Sequence, residues 1–146
     1  MDQRDRTLKQ LLNMFPPYAP EGPIAPHECE ECSKIRAQLD GCSWLEIPAG
    51  YVEEHEGVLP LLSEQALHAF LPAWLRQAML HPAGNVPGMI MVHLAARGPS
   101  THFSHAQVHA VASAAQAIAE GSAYGMDEVD RESLAAVLAV WNAGAI

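Results

Sequence analysis

Apolar residues recur every three or four positions through much of the chain, the spacing that puts them on one face of an α-helix. Near the start, this spacing predicts a helix over residues 3–15. Its inner stripe consists of Leu8, Leu11, Leu12 and Phe15. Pro16 and Pro17 must end that helix, because proline has no backbone N–H to donate. Residues 16–26 contain five prolines and one glycine and are therefore predicted to form an extended connection.

A second helix is predicted after the connection. Acidic residues favour its first turn, where they complement the helix dipole, and Gly41 just past Asp40 is a stop signal. These acidic residues are Glu28, Glu30 and Glu31. The inner stripe is predicted to comprise Cys32, Ile35 and Leu39. Residues 44–48 are too short to assign, and residues 51–56 fit one helical turn or a loop, so we expect irregular structure there.

The clearest helical pattern runs from Ser63 to about Leu80 and predicts the central helix of the fold. Its continuous apolar face comprises Leu67, Phe70, Leu71, Trp74, Leu75, Ala78 and Met79. Pro72 lies inside this pattern and cannot donate to the carbonyl of His68. We therefore expect a kink there, or another partner for that carbonyl.

Three further helices are predicted in the C-terminal part of the chain. Residues 89–94 form a short apolar run, which we assign to a helix because no second strand is available to pair with it. Ser104 and Gln107 have the spacing of a capping box and predict a helix start. A last helix is predicted to begin near Asp127 or Asp130, whose acidic side chains suit a first turn.

Together these patterns predict one all-α domain over residues 1–146, with five or six helices packed irregularly around the Pro-kinked central helix. The helix that starts after Ser104 also carries a stripe of small residues. This stripe consists of Ala106, Ala110, Ser113 and Ala117. Small side chains on that face imply that another helix or a partner covers it.

The charge balance narrows the classes of function. The chain has 8 Lys and Arg against 17 Asp and Glu, a net charge of −9, which repels phosphate backbones and disfavours nucleic-acid binding. No apolar stretch approaches the ~20 residues that cross a bilayer, and the start of the chain lacks the pattern of a secretion signal. We therefore expect a cytoplasmic protein that does not span a membrane.

Residues 71–74 have the sequence Leu-Pro-Ala-Trp inside the predicted central helix, with Cys29-Glu-Glu-Cys32 before them and Phe103-Ser-His-Ala-Gln107 after them. This arrangement resembles a family of small uncharacterised bacterial proteins that have a Cys-x-x-Cys segment followed by a Leu-Pro-Ala-aromatic helix. The resemblance covers residues 27–118. It implies a bacterial source and a helical domain, and it assigns no reaction.

Four residues around the predicted second helix are candidate metal ligands. His27, Cys29, Cys32 and Cys42 offer the imidazole and thiolate groups that Zn²⁺ prefers, and together they would complete a tetrahedral site. The alternative is that Cys32 is a core residue, Cys29 a boundary thiol and His27 an exposed loop residue. It is favoured because zinc ribbons carry two Cys-x-x-Cys pairs and this chain has one. Redox chemistry is a further alternative, although no strand is predicted before the pair as in thioredoxin-type sites.

Three histidines, His102, His105 and His109, form a second candidate cluster. His105 and His109 are four residues apart on one predicted helix, so both can face the same metal ion. Ala106 follows His105 where zinc proteases have the glutamate that acts as general base, and this disfavours protease activity. The alternative is that these histidines are surface groups without a metal.

Two acidic clusters are candidate partner-binding surfaces. The first comprises Glu53, Glu54 and Glu56, and the second comprises Asp127, Glu128 and Asp130. The chain has no Gly-rich phosphate loop and no Gly-x-Ser-x-Gly motif. Acidity without a catalytic motif favours a non-enzymatic binding protein, such as a bacterial immunity or antitoxin-like protein that masks a basic partner. The alternatives are a small zinc-binding protein and a metal-dependent enzyme that uses the three histidines.

Overall fold

Seven α-helices and two short 3₁₀ segments make up the regular structure of residues 2–121 and 128–143, which are the residues that the computed structural model describes. The helices are α1 (Gln3–Met14), α2 (Glu30–Leu39), α3 (Ala49–Glu54), α4 (Glu64–Leu80), α5 (Val86–Ala96), α6 (His105–Glu120) and α7 (Glu128–Ala143). The 3₁₀ segments are Trp44–Glu46 and Glu56–Leu61. This part of the chain contains no β-strand, which confirms the predicted all-α class.

The helix boundaries follow the hydrophobic spacing. The structure confirms the helices predicted over residues 3–15 and 89–94, and α7 begins between the two predicted starting positions. It adds α3, which has only six residues and therefore shows no helical repeat in the sequence. This short helix takes the total beyond the five or six that the pattern predicts.

Polar side chains fix where two of the long helices begin. At the start of α4, the hydroxyl of Ser63 accepts a hydrogen bond from the backbone N–H of Ala66. Before α6, Ser104 accepts from the backbone of Gln107, while the side chain of Gln107 accepts from the backbone of Ser104. This is the predicted capping box, and it satisfies two backbone donors that the first turn leaves free.

The central helix α4 is surrounded by the rest of the fold. It packs against α1, α3, α5, α6 and both 3₁₀ segments, so apolar side chains occupy most of its circumference. Pro72 is among its buried residues, and the helix continues through it. Of the helices in the described ranges, none combines the length and the apolar character needed to cross a membrane.

The helix α6 packs against α1, α4, α5 and α7. Ala110, a member of the small-residue stripe, is fully buried, because a methyl group lets neighbouring helices approach closely. Ala106, in the first turn, stays exposed. Neighbouring helices therefore cover part of the small-residue stripe.

The connection between α1 and α2 has no regular secondary structure, as predicted, but hydrogen bonds hold it to the core. The indole of Trp44 donates to the carbonyl of Phe15 at 2.9 Å, where the connection begins. Farther along, the backbone N–H of Ser63 donates to the carbonyl of Ile24 at 2.8 Å. These bonds give the chain a defined path toward the start of α2.

Candidate functional site

Cys29 occupies the position just before α2, where Ser, Thr, Asp or Asn usually stands. Its backbone is extended, with φ −95° and ψ 165°, so its side chain can turn back over the first helical turn. The sulfur of Cys29 accepts a hydrogen bond from the backbone N–H of Cys32 at 3.3 Å. The Cys-x-x-Cys spacing therefore places both cysteines at the N-terminal end of one helix.

The two thiols differ in exposure. Cys29 is exposed, whereas Cys32 is fully buried. The burial of Cys32 confirms the predicted stripe, in which it shares the inner face of α2 with Ile35 and Leu39. One sulfur of the pair is thus accessible to a partner, and the protein encloses the other.

The same contacts separate the pKa values of the two thiols. A hydrogen bond from the backbone N–H of Cys32 to the sulfur of Cys29 lowers the pKa of Cys29 from its usual range. A second, smaller contribution in the same direction comes from the thiol of Cys32. The hydrogen bond to Cys29 and the burial of its own sulfur raise the pKa of Cys32. Cys29 is therefore the thiol that ionises first, with a protonated Cys32 beside it.

Arg36 holds the segment before Cys29 against α2. Its guanidinium donates to the carbonyl of Ala25 at 2.6 Å and to the carbonyl of His27 at 2.8 Å. These two bonds fix the backbone that leads into the helix. Since the position of Cys29 depends on that backbone, Arg36 is a positioning residue for the cysteine pair.

The structure brings together two of the four candidate zinc ligands. Cys29 and Cys32 lie at the start of α2, whereas Cys42 lies past its other end, and a ten-residue helix is about 15 Å long. His27 is exposed two residues before the pair. Within the described ranges, no three His, Cys, Asp or Glu side chains are grouped closely enough to hold one metal ion. The zinc site stays a prediction.

The three histidines of the second candidate cluster, His102, His105 and His109, are all exposed at the start of α6. The ring of His102 lies 6.2 Å from the ring of His68, measured between centroids. His68 is half-buried in α4 and hydrogen-bonds to Gln107. The sequence patterns do not indicate His68 as a site residue, because its partners come from other parts of the chain.

The carboxylates of the first acidic cluster have different surroundings. Glu53 is half-buried, and one of its oxygens accepts a hydrogen bond from the side-chain amide of Gln77 at 2.9 Å. Glu54 is exposed. In Glu56, Oε2 is buried and has no hydrogen-bond partner among the described residues. The three residues therefore do not form one uniform charged surface.

Only part of the second acidic cluster lies in the described ranges. Glu128 is the first residue of α7 and is exposed, and Asp130 belongs to the same first turn. Asp127 lies outside the described residues. The partner-binding role of both acidic clusters stays a prediction.

The cysteine pair has the arrangement that thiol–disulfide exchange requires. An exposed thiolate can attack a disulfide, and a buried thiol in the next turn can then displace the product. Redox chemistry is the last of the alternatives that the sequence offers for the pair, because no strand is predicted before it. In the structure, an irregular connection leads into the pair, and the acidic first turn after Cys29 is the signal that marks the helix start.

No family model, curated protein or solved structure matches the chain. The resemblance to small bacterial proteins therefore stays a prediction. A functional assignment depends on the geometry of the cysteine pair.

Proposed function

We propose that the protein is a thiol–disulfide exchange protein, with Cys29 as the attacking thiol and Cys32 as the resolving thiol. The observation that carries this proposal is the hydrogen bond of 3.3 Å from the backbone N–H of Cys32 to the sulfur of Cys29. It stabilises the thiolate on the exposed member of the pair, which is the member that a substrate can reach.

The reaction consists of two displacements at sulfur. The Cys29 thiolate attacks one sulfur of a substrate disulfide, forming a mixed disulfide, and the other substrate sulfur leaves as a thiolate that takes a proton from water. Cys32 then loses its proton and attacks the sulfur of Cys29, which releases the second substrate thiol. The substrate disulfide gains two electrons and two protons, and the Cys29–Cys32 pair becomes a disulfide.

The surface around the attacking thiol is acidic. Glu28, Glu30 and Glu31 flank Cys29 in sequence, and all three are exposed. Negative charge at this point attracts a positively charged surface and speeds its association. We therefore propose that the substrate is a protein with basic residues around its disulfide. Such a substrate agrees with the basic partner that the net charge of −9 favours.

The test is to equilibrate the full chain in buffers of defined dithiol and disulfide ratio and to count free thiols by alkylation and mass spectrometry. We expect a reversible Cys29–Cys32 disulfide with a reduction potential between roughly −270 and −120 mV, the range of exchange proteins. Cys29→Ser should abolish disulfide reduction, and Cys32→Ser should accumulate the mixed disulfide. Cys42→Ser is the matched control and should behave as the wild type.

Two results would contradict exchange. One is that Cys29 and Cys32 stay reduced in oxidised glutathione while Cys42 reacts with it. The other is that both thiols resist alkylation until a chelator is added and that the purified protein contains zinc. That second result would support the predicted zinc site instead.

A further inference from the structure

A cavity away from the cysteine pair lies where the chain leaves α1. It is a cavity of about 280 Å³, lined by Phe15, Pro16, Pro17, Tyr18, His68, Ala69 and Gln107. An apolar cavity of about 150 Å³ is enough to hold benzene, so this one has room for one or two rings. The residues that line it in the described structure are mostly apolar and carry no formal charge when His68 is neutral.

The hydrogen bonds of Gln107 fix which of its amide atoms faces His68. Its nitrogen donates to the carbonyl of Met14 at 2.9 Å, and its oxygen accepts from the backbone N–H of Ser104 at 3.0 Å. The same oxygen lies 2.9 Å from Nε2 of His68. Since an amide oxygen only accepts, His68 must carry its proton on Nε2.

The state of His68 in turn orients Tyr18. Burial lowers the pKa of His68, so its ring is neutral at neutral pH and Nδ1 has a free lone pair. The hydroxyl of Tyr18 lies 2.7 Å from Nδ1 and therefore donates its proton there. The carbonyl of Gln65 is a more distant acceptor, at 3.5 Å. Tyr18 thus has its proton engaged and offers only oxygen lone pairs to a molecule in the cavity.

Aromatic packing holds this arrangement in place. The ring of Phe103 lies edge-on to His68, with centroids 4.9 Å apart, and edge-on to Phe15 at 6.2 Å. Phe103 and Phe15 are buried, whereas Tyr18 and His68 are half-buried and accessible from the cavity. The acceptor on Tyr18 is therefore preorganised by fixed neighbours.

We infer that this cavity binds a small neutral aromatic molecule that donates one hydrogen bond to the phenol oxygen of Tyr18. The lining is mostly apolar and includes Phe15, Pro16 and Pro17, so it favours an apolar ring and disfavours an ion. A ligand without an N–H or O–H group would fill the same space and leave the acceptor unused. This binding site is independent of the proposed cysteine chemistry.

The experiment compares two probes of nearly equal shape, indole and 1-methylindole, which lacks the N–H donor. Each is titrated into the full chain while NMR follows the side-chain signals of His68, Tyr18 and Gln107. We expect indole to shift these signals and to bind about fivefold tighter, the effect of one hydrogen bond. In Tyr18→Phe, the binding of indole should fall to that of 1-methylindole.

Tyr51→Phe is the matched control, because its hydroxyl bonds to Gln38, and neither residue lines the cavity. It should keep the preference for indole. Equal binding of both probes by the wild type, a preference that survives Tyr18→Phe, or shifts confined to other residues would overturn the inference. If Tyr18→Phe does not fold, phenol and anisole form a second pair for the wild type. Phenol should bind tighter, and equal binding would again overturn the inference.

Discussion

The indole N–H of Trp44 donates a hydrogen bond to the carbonyl of Phe15 at 2.9 Å, joining residues that are 29 positions apart. Both residues are buried, and the guanidinium of Arg76 lies 5.1 Å from the centre of the Trp44 ring. A buried carbonyl needs a partner, because its desolvation otherwise costs free energy. This bond therefore ties the 3₁₀ segment Trp44–Glu46 to the end of α1.

Trp44→Phe tests that bond, and Trp74→Phe is its control. Both tryptophans are fully buried, but Nε1 of Trp74 has no hydrogen-bond partner among the described residues. Each substitution removes the same atoms, and only Trp44→Phe leaves a carbonyl unpaired. We expect Trp44→Phe to lower the free energy of unfolding by about 1–2 kcal/mol more than Trp74→Phe in urea denaturation. Equal losses would show that the bond contributes nothing net.

The side chain of Gln107 should contribute more to the free energy of unfolding than a residue in a first helical turn usually does. Its side chain hydrogen-bonds to Met14, His68 and the backbone of Ser104. We expect Gln107→Ala to lower the free energy of unfolding by about 2 kcal/mol.

Gln116→Ala, in the same helix, is the comparison for that loss. Gln116 is exposed and its side chain bonds to Glu120 one turn away, so its removal should cost less than about 0.5 kcal/mol. Urea denaturation of both variants measures the difference. A similar small loss in each would show that the contacts of Gln107 add no stability.

The long helices could be predicted from the sequence because each buries one continuous stripe. The stripe through Phe70 and Trp74 indicates α4, and the pair Ser104 and Gln107 indicates the start of α6. Cys32 was placed on the inner face of α2 by the same reasoning. These features depend on residues within a few turns of one another, which is the range that sequence spacing reports.

The contacts between distant segments could not be predicted in this way. His68 meets Tyr18 and Gln107 across 50 and 39 positions, and no periodic pattern encodes such a meeting. Residue spacing likewise does not show whether His27 and the three cysteines meet at one point. In the structure, the cysteine pair and Cys42 lie at opposite ends of the ten-residue helix α2.

The cap geometry predicts how Cys29 reacts. Hydrogen bonds from Cys32 lower the pKa of Cys29, so its alkylation by iodoacetamide should reach half-maximal rate below pH ~8.5, the pKa of a free cysteine. Peptide mass spectrometry reports each cysteine separately as a function of pH. In denaturant the cap is lost and the midpoint of Cys29 should rise. A midpoint that is the same in the folded and unfolded chain would show that the cap does not stabilise the thiolate.

His93 in α5 couples stability to pH. Its side chain is only 5% exposed, and its Nε2 is buried without a hydrogen-bond partner among the described residues. Burial, assisted by the positive charge of Arg97 and opposed by Glu64, lowers the pKa of His93 from 6.5 to about 4. Between these two pH values the unfolded chain binds a proton that the folded chain does not. Stability therefore falls as the pH drops from 6.5 to about 4, by up to about 3 kcal/mol, and is fully regained above 6.5.

His93→Leu should remove this pH dependence, because leucine fills similar space and cannot bind a proton. Urea denaturation at several pH values between 7 and 4 measures the free energy of unfolding of both proteins. The other titratable groups are present in both proteins, so the difference between the curves reports on His93. We expect the free energy of unfolding of His93→Leu to rise steadily relative to that of the wild type as the pH falls. Parallel curves for wild type and His93→Leu would show that His93 is protonated in the folded protein as readily as in the unfolded chain.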